Sequence, residues 1–209
     1  MEPSPPPGAG KPAPTRPPSS PSITTRGGVG APPLTTGEWA VLGLLATQNQ
    51  HGFGLAKALA PSAEWGQIWT LPKPLVYRAL GELDRLQLVV QVGPQAGNRG
   101  PTRIVYTTTD LGRSRFEIWL KEPVLHLREV RSQLMLKLAF HQRLELDPRD
   151  LLHRQIEVLG PLVEGLRRRT RLTSGFDATL ALWRYQSALS AQRFVRRLLA
   201  LISPNSRPR

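Results

Sequence analysis

Cysteine is absent from the 209 residues, which excludes disulfides, thiolate metal sites and thiol nucleophiles. Histidine is scarce. His51, His126, His141 and His153 are the only four, and no two stand four apart as a helical zinc pair would. Long apolar runs are missing too: nothing approaches the roughly 20 residues that a membrane-spanning helix needs. The N-terminal "MEPSPPPGAGKPAPTRPPSSPS" lacks the apolar core of a secretory signal. These absences point to a cytoplasmic protein without a membrane partner. No phosphate-binding loop, nucleophile elbow or metal motif occurs. Acidic neighbours such as Glu82 and Asp84 stand too close along one helix to face each other, so no enzymatic activity and no cofactor is expected.

Acidic residues are the minority, 15 against 28 Lys and Arg, for a net charge of +13. Such a surplus favours polyanionic partners. Residues 1–33 hold 11 of the 21 prolines and almost no bulky apolar side chains. That segment buries too little surface to offset its chain entropy and is expected to be disordered.

Ordered structure is expected from "LTTGEWAVLGLLATQ". Thr35 and Glu38 have capping-box spacing, and Trp39, Leu42, Leu45 and Ala46 follow at helical intervals. A second helix fits "GFGLAKALA" up to Pro61. A third fits "LPKPLVYRALGELDRLQ", where Pro72 and Pro74 suit a first turn and Leu75, Ala79, Leu83 and Leu86 form an apolar stripe. The runs "LVVQV" and "RIVYTT" predict two strands around a loop, "GPQAGNRGPT", and Thr109 or Asp110 caps a helix closed off by Pro123. Three helices beside a two-stranded hairpin describe a winged helix-turn-helix over residues 34–121, with the arginine-bearing loop as its wing.

Residues 122–209 read as helical. Leu127, Val130, Leu134 and Leu138 share one side of the first helix. "DPRDLLHRQIEVLGPLVEGLRRR" opens on an Asp cap with Pro148 in the first turn, and Gly160-Pro161 is expected to kink or divide it. In the last helix, opened by Ser174 and Asp177 in capping-box spacing, Phe176, Leu180, Trp183, Ser187, Phe194, Leu198 and Leu201 repeat at three/four spacing. A second set, Leu182, Leu189, Val195, Leu199 and Ile202, widens the apolar surface beyond what one chain covers, so a two-fold homodimer is expected.

The blocks "HGFGLAKAL", "LVYRALGELDRLQLV", "GNRGPTRIVYTTTDLGRSRFEIWL" and "VRSQLMLKLAF" resemble the PadR family of transcriptional regulators over about residues 35–140. The proline-rich leader is not part of that pattern. The resemblance implies a dimeric DNA-binding repressor with an N-terminal winged helix and a C-terminal helical dimerisation domain, here residues 122–209. It places Tyr77 on the recognition helix and Arg99 and Arg103 in the basic wing. It also implies release from an inverted-repeat operator by a small-molecule effector.

From the residues, the third helix presents Lys73, Tyr77, Arg78 and Gly81 opposite its apolar face. Lys73 stands in the first turn, which a helix lying in the major groove points at DNA. Arg78 suits a guanine edge or a phosphate, and Tyr77 a phosphate. Gly81 would admit the duplex backbone closely. Asn98, Arg99 and Arg103 supply wing donors suited to a minor groove. Trp119, Trp183 and Tyr185 have two readings, an effector pocket or plain core packing, whereas Trp39, Trp65 and Trp69 are assigned to the core or to contacts between helices. The charge is unevenly placed: net +3 over residues 34–121, +8 over 122–209 and +2 over 1–33. "RRRTR", Arg167 to Arg171, is either a phosphate contact or a solvated helix end favoured by the macrodipole. The competing reading is a winged-helix interaction or architectural module that binds nucleic acid non-specifically.

Overall fold

The computed structural model describes residues 32–97 and 100–202, with side chains left out for 94–97 and 100–103. The described residues from Leu34 onward form one compact unit. Helix α1 (Thr36–Thr47) starts where expected: Thr35 accepts from the Glu38 N–H while Glu38 accepts from the Thr35 N–H, a complete capping box. A two-residue strand β1 (Gln50–His51) follows, then α2 (Gly52–Ala58), a short α3 (Glu64–Ile68) and α4 (Lys73–Arg85). Neither β1 nor α3 was expected, because two and five residues carry no periodicity.

Strands β2 (Val89–Gly97) and β3 (Gly100–Thr108) pair antiparallel, and β1 adds to the other edge of β3 to give the sheet order β1-β3-β2. Most of the expected loop is therefore strand. The ladder runs to Gly97 opposite Gly100, with irregularities between Gln91 and Gly93 and between Gln95 and Gly97. Gly93 takes φ +122, a conformation that L side chains rarely adopt. Helix α5 (Asp110–Lys121) begins at Thr109, whose hydroxyl accepts from the Gly112 N–H and donates to the Gln87 carbonyl.

Helix α6 (Leu127–Glu129) passes through a π-helical turn (Val130–Leu134) into α7 (Met135–Arg143), and two long helices, α8 (Arg149–Thr170) and α9 (Gly175–Ile202), pack on each other. The expected Asp cap with Pro148 in the first turn is displaced: α8 starts at Arg149 with Pro148 in the cap position and no side-chain cap bond, while Asp147, one residue further out, accepts from the Arg149 N–H. Pro161 does not divide α8, which continues across it.

Two apolar clusters hold the unit together. The first gathers α1, α2, α4, β2 and α5 around Leu42, Leu45, Leu55 and Leu83 and takes in Leu136 and Phe140 from α7. The second joins α8 and α9 to Val124 and Leu134. Two expected stripes shift. On α4 the buried residues are Val76, Ala79, Leu80 and Leu83, while Leu75 is exposed. On α9 they are Ala181, Ala188, Ala191, Gln192 and Val195. Phe176, Leu182, Trp183, Phe194 and Leu201 face outward instead. Small side chains let α8 and α9 approach closely, and the bulky ones are left outside. Among the described residues no helix is long and apolar enough to cross a membrane, and no group of three or more His, Asp or Glu side chains is placed to hold a metal ion.

Candidate nucleic-acid interface

Burial of Val76, Ala79, Leu80 and Leu83 fixes the rotation of α4. With about 100° per residue, Lys73 falls at the edge of the buried face beside Leu80, and the exposed arc runs from it through Asp84 and Tyr77 to Gly81 and Arg78 on the far side, all of them exposed. The sequence-expected recognition face is therefore presented as a unit. Tyr77 is 47% exposed and its ring covers Gly52 so closely that a Cβ there would lie 2.7 Å from Cε1. Only glycine lets the first turn of α2 sit under this ring. At Gly81 an added Cβ would meet nothing within 4 Å, which leaves the middle of the face open.

Charge on this face is unevenly committed. Arg85 binds Glu82 through two hydrogen bonds of 2.9 and 2.6 Å, and the hydrogen bond from Arg85 holds the Glu82 carboxyl below its ordinary range. Neither Lys73 nor Arg78 forms an ion pair among the described residues. Lys73 Nζ instead stands 5.7 Å from the centroid of the Phe53 ring. Both Phe53, itself exposed, and His51 escaped sequence reasoning. His51 caps α2 by accepting from the Gly54 N–H at 2.8 Å through Nδ1. Its ring stands 6.3 Å from that of Phe53. Histidine is an unusual cap, so composition gave no signal for it.

The root of the wing lies against α4. The Tyr106 hydroxyl is pushed above its ordinary pKa by burial and, secondarily, by Asp84 and Tyr77, which puts strand β3 beside the exposed arc. Arg103 pairs with Gln95 in the backbone ladder; its side chain, and Asn98 and Arg99 entirely, lie outside the described residues.

The three aromatic residues considered for an effector pocket are not brought together. Trp119 is in the first core cluster, stacked on Trp39 at 4.7 Å and 11° and donating from Nε1 to Gln133. Trp183 is 64% exposed and lines an open groove of about 990 Å³ with Leu125, Met135, Leu162 and Phe194. Tyr185 is half-buried and outside that lining. A smaller cavity of about 440 Å³ has an apolar floor of Ala46, Phe116, Leu120 and Leu151, with His141, Arg113 and Arg154 among its polar lining. The expected core role of Trp39 is seen, and Trp65 and Trp69 pack against the same cluster.

Residues 41–118, the stretch from α1 to α5 that carries this face, match the model of the transcriptional regulator PadR-like family. The chain is similar to several solved structures. PadR of Bacillus subtilis in complex with operator DNA shares 21% identity, covering 79% of this chain and 98% of that one at a TM-score of 0.40. The same protein in complex with p-coumaric acid shares 19% over 83% and 98%, with a TM-score of 0.36. The protein smu.1604c of Streptococcus mutans shares 15% over 78% and 98%, with a TM-score of 0.37. No curated protein matches the sequence.

Proposed function

We propose that this chain, whose residues 41–118 are PadR-like, is a sequence-specific DNA-binding transcriptional repressor acting as a homodimer on an inverted repeat. The observation that carries the reading is the exposed arc of α4: Lys73, Tyr77, Arg78 and Gly81 on one face, unburdened by internal ion pairs, with the β2–β3 hairpin rising beside it. In this reading α4 enters a major groove first turn foremost, so Lys73 and Arg78 meet base edges or phosphates and Tyr77 a phosphate. Asn98, Arg99 and Arg103 reach the adjacent minor groove. The outward apolar residues of α9 supply the dimer contact, and two-fold symmetry then matches the operator. A small-molecule effector binding between the head and the helical arm would change that spacing. Trp183 with its groove, and the cavity floored by Phe116 and Leu120, are the places of suitable size. Trp119 and Tyr185 would then act through the packing around them.

The test is retardation of DNA taken from upstream of the protein's own or a neighbouring gene. We expect Arg78→Ala and Arg99→Ala each to weaken binding, by about 1–3 kcal/mol where a bidentate base contact is lost. Parent-like binding by both variants would remove the recognition assignment.

One observation favours a second reading. Most of the positive surplus lies outside residues 34–121, as a non-specific binder or interaction module would allow. Specific and random DNA would then compete equally, with affinity collapsing as salt rises. The ratio of specific to random binding at fixed salt separates the two.

A further inference from the structure

Among the described residues Lys137 is the one buried lysine, arginine or carboxylate, 1% exposed. It stands on α7. Its amine donates to the Trp119 backbone carbonyl near the end of α5 and lies 4.0 Å from the centroid of the Trp119 ring. That ring stacks on Trp39 of α1, and Trp119 Nε1 donates to Gln133 in the π-helical turn leading into α7. One amine thus touches the last helix of the winged-helix region directly and the first through a single stacked ring. A π turn interrupts the helix just before it, as such turns often do at functional positions.

The surroundings are poor in counter-charge. No carboxylate forms an ion pair with Lys137 among the described residues. Glu122 at the end of α5 and Glu129 on α6 act on it from a distance. On its own helix His141 bonds the Lys137 carbonyl through Nδ1, and a positive charge on either group opposes one on the other. Helix α1 offers Trp39, with the Arg115 guanidinium 5.9 Å from its ring centroid, and α3 carries only the exposed Glu64. A buried ammonium without a paired anion is costly, and the usual response is loss of the proton. Burial holds this one at about 7, against an ordinary 10.5.

We propose that Lys137 is a proton-operated clasp at the seam of α1, α5 and α7. Neutral, it donates one hydrogen bond to Trp119 and keeps the seam dry and shut. Protonated, it draws the Glu122 and Glu129 carboxylates and water toward itself and loosens the Trp39–Trp119 stack. The clasp is independent of what the exposed face binds, so its test reads no DNA.

Because the folded-state value lies below the unfolded one, the unfolded chain holds the extra proton between about 7 and 10.5. Stability contributed by neutral Lys137 therefore grows as pH rises through that window and is lost as pH falls through about 7. Urea unfolding of the full chain from about pH 6 to about pH 9 reads this directly. We expect the midpoint of the parent to climb with pH, and that of Lys137→Met to stay flatter. Native tryptophan emission should titrate near 7 in the parent and in His141→Gln, but not in Lys137→Met. Equal slopes in parent and Lys137→Met, or loss of the transition in His141→Gln, would overturn the proposal. Should Lys137→Met fail to fold, the lysine 13Cε shift of the parent decides. A midpoint near 7 supports the clasp and one close to the ordinary lysine value ends it.

Discussion

Two glycines show how differently one residue type serves this molecule. At Gly81 a methyl group would enter open space, so Gly81→Ala should raise stability by about 0.5–1 kcal/mol while weakening DNA binding. A gel-shift titration beside a urea midpoint separates the two effects. At Gly43 the same methyl would lie 2.2 Å from Phe140 Cζ and 2.8 Å from Phe116 Cε2. We expect Gly43→Ala to cost about 1–3 kcal/mol through overpacking, read as a lower urea midpoint. The place of Gly81 on the polar face was legible from helical spacing alone. That of Gly43 was not, since the ring that fills its space arrives from α7. His141 adds a pH effect. Burial holds its imidazole below the ordinary 6.5, with the backbone bond to Lys137 only partly offsetting this. The folded form therefore resists protonation, and stability present above 6.5 is lost as pH falls below it. Thermal melts should show a shallower acid decline in His141→Gln.

At the scale of elements, caps were readable and partners were not. Thr35 with Glu38, and Thr109 before α5, were marked by residue type and spacing, and both caps form. Thr109 also ties α5 to Gln87 at the end of α4. Thr109→Ala should lower stability by about 0.5–2 kcal/mol, visible in the urea midpoint. Of the two outcomes expected at Gly160-Pro161, a kink or a division, the division does not occur, although proline in a helix interior costs about 3 kcal/mol. Packing of Leu152, Leu159 and Leu162 in one cluster with Ala191 and Val195 of α9 keeps α8 continuous across it. Pro161→Ala restores an N–H to the ladder, and a raised melting temperature is the expected result. On the last helix the inward face is small, Ala181 and Ala188, while Trp183 and Phe194 stay outside, which is where an apolar surface wider than one chain covers has to go.

For the whole molecule, the outward row on α9 and the charge map make separate expectations. Leu172 and Phe176, 84% and 79% exposed, continue that row toward the α8–α9 turn beside Arg168, Arg169 and Arg171. If a twin subunit covers the row, Trp183→Asp with Phe194→Asp should give a folded monomer by sedimentation and abolish protection of a palindrome. A parent that sediments as a monomer at micromolar concentration would remove the dimer. Overall architecture was open to sequence reading because three amphipathic segments and a hairpin follow one another in a short span. How the arm meets the head was not, because it depends on Leu136, Lys137 and Phe140 reaching back into a core built by residues far upstream.

A further long reach joins the end of α5 to α8. The side-chain amide of Gln155, sealed inside α8, gives and receives with the backbone of Val124 at 3.0 and 2.8 Å, standing in for a strand neighbour. The segment leaving α5 is thereby tied to α8 through both backbone groups of Val124, in addition to the contacts that α7 makes with α1 and α5. Gln155→Leu would leave both of those buried backbone groups without a partner.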